Sequence, residues 1–373
     1  MHIVHVGKYY SPYRGGIETV VEQLCKGLTH RHQEVTAVVS NNSSETVTET
    51  LEGVRVIRLG TRLLMRSQPL SFQLARVLRG LQFDLLHFHT PNPVGALAIL
   101  AARVKKPIVV THHSDIIRQR ILGSPATGAQ ALLYRHATAI VAATPNHIEH
   151  SRVLRLFANK CQVIHFPIDA EPYASAEASW DEELPLHWQK EPLILFVGRL
   201  VYYKGVDILL DALKLTDGAR LAIVGGGPLE PELKEQVRAL GLGDRVAFLK
   251  DPSVTRLRSL YKRCRFLVLP SVARSEAFGM VQLEAMAAGR PVVSTDLKSG
   301  VPYVNQHGQT GLIVPPADPR ALSTAMSRLL NDDAYAQRLG LAAQRRVLDE
   351  FNVDGVVEAH LALYRSACTS TRQ

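Results

Sequence analysis

At 373 residues the chain is too long for one ordinary domain and suits two of roughly 150–200, and a hydrophobic content of 46% excludes disorder as the default. The net charge of +9 lies wholly in residues 1–169, which hold 19 Lys+Arg against 10 Asp+Glu, while the remainder holds 24 of each. Nothing resembles a nucleic-acid-binding motif, so nucleic acid is not an expected partner, whereas a solvated basic face and a surface that touches anionic lipid both stay open.

The chain opens on a strand pattern, Met1-His2-Ile3-Val4-His5-Val6, with no basic and apolar leader, so secretion is not expected. Apolar runs at 3–6, 34–40, 54–59, 84–89, 107–111, 139–144 and 163–166 alternate with helical patterns, which predicts strands buried on both faces of a parallel sheet. After the first run comes Lys8-Tyr-Tyr-Ser-Pro-Tyr-Arg-Gly15-Gly16, then Ile17, Val20, Val21, Leu24 and Leu28 at helical spacing. A Gly pair there lies at the carboxyl ends of strands, where open α/β sheets bind ligands, although a plain turn explains it equally. Without G-x-G-x-x-G it is no dinucleotide fingerprint.

Arg55, Arg58, Arg62, Arg66, Arg76 and Arg79 are interleaved with Leu59, Leu63, Leu64, Met65, Leu70, Phe72, Leu74, Val77 and Leu78, the segment a lipid surface would meet. The next strand ends in His87-Phe-His89, a spacing that binds metal only with a third ligand, and none of suitable spacing follows. The strand after it ends Thr111-His112-His113-Ser114-Asp115. The longest uncharged stretch, 85–102, contains His87, His89, Pro91 and Pro93 and fails as a membrane span. Cys25, Cys161, Cys264 and Cys368 have no metal or disulfide spacing, which fits a reducing cytosol.

A domain boundary follows Val163-Ile-His-Phe-Pro167-Ile-Asp169, and residues 170–192, rich in Pro, Glu, Ala and Ser, read as a linker. The alternation resumes at 193–197, followed by Gly198-Arg199-Leu-Val-Tyr-Tyr-Lys204-Gly205. A guanidinium fork and an ammonium beside glycines suit a diphosphate, though Arg and Lys are most often plain surface charges. Further strands at 221–224, 246–249, 266–269, 291–295 and 310–314 follow, with Gly225-Gly226-Gly227-Pro228 after the first of them and a long helical pattern from 322 to 363. Between 270 and 289 lies a strand-loop-helix unit with two carboxylates eight positions apart, Glu276 and Glu284, and Gly279 between them. The amides of Gly279, Met280 and Val281 open the helix and attract phosphate or electron-rich oxygens. Read alone, Glu276 is equally a helix cap and Glu284 a surface acid.

Glu276-x7-Glu284 with Phe278-Gly279 inside it, Gly198-Arg199-x4-Lys204-Gly205, Gly15-Gly16 and Thr111-x-His113 occur in order from Gly15 to about Phe351. Together they resemble the retaining glycosyltransferases of family 4 (GT4). The resemblance implies an α/β GT-B fold of two facing Rossmann-like domains with a cleft between them. It places an acceptor-binding domain at 1–169, the linker at 170–192, a nucleotide-sugar domain at 193–351, and a helix at 352–373 crossing back to the first domain. It also implies the roles. Arg199 and Lys204 take the leaving diphosphate, Glu276 with the Gly279, Met280 and Val281 amides holds sugar hydroxyls, and Glu284 holds the ribose. His113, rather than its neighbour His112, reaches the sugar, and Gly15 and Gly16 face the diphosphate.

Pro167 stands where the family has glycine. Ser114-Asp115-Ile-Ile-Arg-Gln is similar to members that build O-antigen or exopolysaccharide, often mannosyltransferases. No cofactor or metal is implied, because there is no Asp-x-Asp motif. The expected substrates are GDP-mannose or another nucleoside-diphosphate sugar and a glycan carried on a polyprenyl diphosphate, at the cytoplasmic face of the membrane. A sugar-nucleotide epimerase of the same fold and a non-catalytic binding subunit are the alternatives. Glu276→Gln is expected to remove activity with stability nearly unchanged.

Overall fold

A computed structural model describes residues 1–13, 15–61, 63–65, 68–70, 73–115 and 125–370. The chain divides into two units, Met1–Pro167 together with Val353–Gln373, and Ile168–Asn352.

The first unit is built on β1 (His2–Val6), β2 (Glu34–Ser40), β3 (Val47–Leu51), β4 (Val54–Leu59), β7 (Leu85–Thr90), β8 (Ile108–His112), β9 (Ala139–Ala142) and β10 (Cys161–Val163), with a small antiparallel pair β5 (Leu63–Met65) and β6 (Gln68–Leu70) apart from it. The order is β10-β9-β8-β7-β1-β2-β4-β3. Pairing is parallel throughout except for β3 on β4, which closes the edge antiparallel. β3 has no apolar run to announce it: its residues are Val-Thr-Glu-Thr-Leu, exposed or half-buried. By contrast every residue of β7 and β8 is buried, the pattern that parallel strands covered on both faces require.

The basic segment departs from the lipid-facing expectation. Leu59, Leu74 and Leu78 are buried in the core with Val38 and Phe88. Arg58 is turned inward, 2.6 Å from Glu49, and also donates to the carbonyls of Tyr10 and Ser11. Those three leucines are therefore spent on packing, and among the described arginines of this segment Arg55, Arg76 and Arg79 are exposed. Arg62, Arg66 and Phe72, and the side chains of Leu63, Leu64, Met65 and Leu70, lie outside the described residues, as do residues 116–120 after Asp115. The helix Val353–Ser370 covers the opposite sheet face: Val356, Val357, Leu361 and Tyr364 pack with Ile3, Leu85 and Val109. It approaches the helix Gly16–His30 so closely that a Cβ on Gly27 would lie 2.4 Å from Val357.

The second unit holds β11 (Leu193–Val197), β12 (Arg220–Val224), β13 (Val246–Leu249), β14 (Phe266–Leu269), β15 (Val292–Thr295) and β16 (Gly311–Val314), ordered β13-β12-β11-β14-β15-β16 and all parallel. This is the doubly wound order whose direction reverses between β11 and β14, the place where such sheets bind ligands. Residues 170–192 are not a free linker. They form the helix Glu171–Ala174 and a 3₁₀ turn Leu186–Trp188, bury Leu184 and Trp188, and tie Asp181 to Arg256 at 2.5 Å. Trp188 donates to the Asp244 carbonyl at 3.0 Å, which fastens the stretch to the second unit. Composition concealed this because two tryptophans, at 180 and 188, carry the packing among polar neighbours.

Candidate active site

The reversal between β11 and β14 brings two sequence-distant loops together. Lys204 lies in the loop after β11 and Val272 in the loop after β14, and the Val272 N–H donates to the Tyr203 carbonyl at 2.8 Å, joining the two loops backbone to backbone. Gly205, at φ +64°, makes the contact possible, since a Cβ there would meet the Pro270 carbonyl at 2.2 Å. The consequence is an ion pair: Lys204 Nζ lies 2.5 Å from Glu276 Oε2, and each residue is only 8% exposed. Ser271 donates to the same Glu276 oxygen at 3.1 Å. Burial by itself would lower the Lys204 pKa, but the carboxylate and its hydrogen bond hold it above the ordinary value.

Gly279, at φ +75°, starts the helix Met280–Ala287, and no side chain caps its first turn. A Cβ at Gly279 would lie 2.6 Å from Leu269, so only glycine lets the start of this helix pack against β14. Glu284 projects from this helix and is half-buried. Tyr261 donates to its Oε2 at 2.5 Å, and burial, partly opposed by that bond and by Lys204 and Arg258, raises its pKa. Arg199, just past Gly198, is exposed and forms no ion pair among the described residues. Glu276 is thus no solvent-facing cap and Glu284 no free surface acid; both are held by partners the motif does not contain.

In the first unit Gly15 is the N-cap of the helix Gly16–His30, in extended backbone, with Glu18 folded against it. β-pleating places His5, His87, His89, Thr111 and His113 on one face and His112 on the other. His112 is saturated, with Tyr134 Oη at 2.7 Å and Asp115 at 3.3 Å. His113 stacks on Phe166 and bonds His89 through Nε2 at 3.0 Å, and its Nδ1 has no partner among the described residues. His5, from β1, is the third imidazole beside His87 and His89 that sequence spacing did not supply. Both nitrogens of His87 are already engaged, by Tyr364 Oη at 2.6 Å and Thr111 Oγ1 at 2.7 Å. His5 was missed; the available signal was a histidine inside an otherwise apolar parallel strand.

A pre-paired ammonium and carboxylate beside an uncapped helix start, at the reversal of a doubly wound sheet, is equipped to bind an anion next to a polyol. The chain matches the family models "Glycosyl transferases group 1" over residues 181–346 and "Glycosyltransferase Family 4" over residues 14–172. It is 32% identical to the O-antigen chain mannosyltransferase C of Escherichia coli, over 99% of this chain and 100% of that one, and 36% identical to the D-rhamnosyltransferase WbpZ of Pseudomonas aeruginosa, over 93% and 91%. Among solved structures it resembles a sucrose-phosphate synthase of Thermosynechococcus elongatus (TM-score 0.82, 23% identity, 99% of each chain) and Anabaena HepE with UDP-glucose (TM-score 0.78, 21% identity, 98% and 100%). The chain belongs to the family 4 glycosyltransferases and has their GT-B fold. It is a hexosyltransferase, with no described helix long and apolar enough to cross a membrane.

Proposed function

We propose that this enzyme moves mannose from GDP-mannose to a glycan carried on a polyprenyl diphosphate, with retention of anomeric configuration, in cell-surface polysaccharide synthesis. The observation that carries the reading is the Lys204–Glu276 pair at the β11/β14 reversal. Lys204 has three N–H donors, of which Glu276 uses one, so phosphate oxygens can take the others without dismantling the pair. As the bond from the anomeric carbon to the diphosphate breaks, charge gathers on the leaving oxygen. Lys204, Arg199 and the Gly279, Met280 and Val281 amides stabilise it where it develops. The acceptor oxygen bonds to the same face of that carbon, and its proton passes to the leaving phosphate. Glu276 orients sugar hydroxyls, and no metal is needed for charge compensation. Gly15 and Gly16 are assigned to the diphosphate, and His113 through Nδ1 to a sugar hydroxyl, His112 having no nitrogen to spare.

The test is turnover of GDP-mannose, its 6-deoxy counterpart and UDP-glucose with a polyprenyl-diphosphate acceptor. Acceptor-dependent release of GDP from GDP-mannose with an α-linked product is expected. Transfer only from another donor would replace mannose; an altered free sugar nucleotide without acceptor would make the protein an epimerase, and binding without turnover a non-catalytic subunit. The excess charge of residues 1–169, with Arg55, Arg76 and Arg79 exposed among the described residues of the basic segment, supports an electrostatic approach to an anionic, cytoplasmic membrane face.

We assign Glu284 to the ribose hydroxyls. Its raised folded-state pKa means that its contribution to stability is present below the ordinary carboxyl range and is lost as pH rises through the raised value. The ionised form of ligand-free Glu284 therefore opposes folding relative to a solvated carboxylate. Glu284→Gln keeps the Tyr261 bond and is expected to leave the ligand-free melting temperature equal or slightly higher, while GDP binds at least about tenfold more weakly. Calorimetric titration and thermal melting check this; a lower melting point with unchanged affinity would make Glu284 structural.

A further inference from the structure

Three buried histidines form a continuous hydrogen-bonded chain. His5 Nδ1 meets His89 Nε2 at 3.0 Å, and His89 Nδ1 meets His113 Nε2 at 3.0 Å. The two end atoms, His5 Nε2 and His113 Nδ1, are buried and have no partner among the described residues. His87 packs against this chain, its ring 4.3 Å from that of His89, but its nitrogens go to Tyr364 and Thr111, so it does not belong to it.

A neutral imidazole carries one N–H and one lone pair. Both bonds can therefore form in only two ways. Either all three rings are protonated on Nδ1, and His113 Nδ1 is a donor, or all three are protonated on Nε2, and His113 Nδ1 is an acceptor. Any mixture sets two protons or two lone pairs against each other across a 3.0 Å gap inside a buried site, where an unmade bond is most unfavourable. Burial holds all three neutral: the pKa of His5 and that of His113 are pressed down to about 3, with His360 adding to the first and His112 and His147 to the second, and that of His89 well below its ordinary value.

We propose that His5 and His89 are positioning residues that lock the tautomer of His113 to their own, so that the three rings together set whether its nitrogen without a partner among the described residues donates to or accepts from the donor sugar. That the ligand is the sugar rests on the function proposed above; the lock itself does not. A sugar hydroxyl does both, so the lock selects which hydroxyl orientation is bound and hence how the sugar is presented.

The experiment is nitrogen NMR of the whole protein labelled with ¹⁵N-histidine, assigned with single His→Phe variants. In the wild type, His5, His89 and His113 are expected to share one tautomer. In His89→Phe, which keeps a ring in the space, His113 is expected to become a mixture of both. A mixed tautomer in the wild type, or an unchanged single one in His89→Phe, overturns the lock. Kinetics then addresses the ligand: His89→Phe is expected to raise the donor KM several-fold to about tenfold, the scale of one hydrogen bond, and to add nothing in a His113→Ala background. Additive losses would make His89 merely structural and overturn its positioning role. If His113→Ala leaves donor KM and kcat unchanged while the NMR shows the shared tautomer, the lock stands and the assignment of His113 to the sugar fails.

Discussion

Lys204→Ala is expected to lower kcat by two to three orders of magnitude and, unlike an ordinary binding-site substitution, to lower the melting temperature as well. The first effect follows from removing a preorganised cation from the leaving diphosphate, a loss of about 10²–10³-fold. The second follows from burial. Glu276 sits 2.5 Å from Lys204, with Ser271 as the other side-chain partner of its carboxylate among the described residues, so the variant leaves a carboxylate in the interior without its counter-charge. Breaking a buried pair from one side costs about 3–5 kcal/mol, on the order of 10 °C for a unit of this size.

The same reasoning revises the expectation for Glu276→Gln. Its activity still falls, but its stability falls too, because the Lys204 ammonium is left unpaired. Lys204→Met with Glu276→Leu separates the two effects, since replacing both charges by apolar groups is expected to recover most of the melting temperature and none of the activity. Differential scanning calorimetry with a nucleotide-release assay decides it. If Lys204→Ala melts with the wild type, the pair is not the buried charge pair described above.

Arg199→Ala is expected to cost about a hundredfold in kcat with the melting temperature within about 1 °C of the wild type. The contrast with Lys204 comes from position alone. Arg199 follows Gly198 at the end of β11 and is exposed, and it forms no ion pair among the described residues, so nothing in the fold depends on its charge. Its planar guanidinium suits two oxygens of one diphosphate, which Lys cannot match, so Arg199→Lys is expected to recover only part of the rate. With Arg199 and Lys204 both in place, excess EDTA is expected to change kcat little. Strong inhibition by EDTA that Mg²⁺ or Mn²⁺ reverses would show that a metal shares the work, and an unchanged kcat in Arg199→Ala would remove this residue from the leaving-group site.

Much of this was legible in the sequence because it is local. Apolar runs announce strands such as Phe266–Leu269, and glycines at 205 and 279 mark backbone that other residues enter only with strain. The ordered motifs carry the family and, with it, the fold. The edge strand Val47–Leu51 escaped because a strand open to solvent needs no apolar run, and residues 170–192 passed for a linker because Leu184 and Trp188 anchor them through contacts far along the chain.

What only the tertiary structure decided is partnership. That Lys204 pairs with Glu276 depends on the crossover that sets β14 beside β11, and that Tyr261 holds Glu284 depends on two helices meeting. That His113 keeps a nitrogen without a partner among the described residues while both nitrogens of His112 are engaged depends on which way a pleated strand turns its side chains, and on β1 placing His5 where β7 can meet it through His89. A sequence states which charges and rings are present. Burial and neighbours, which set their strength and protonation, are properties of elements that are distant in the chain and adjacent in space.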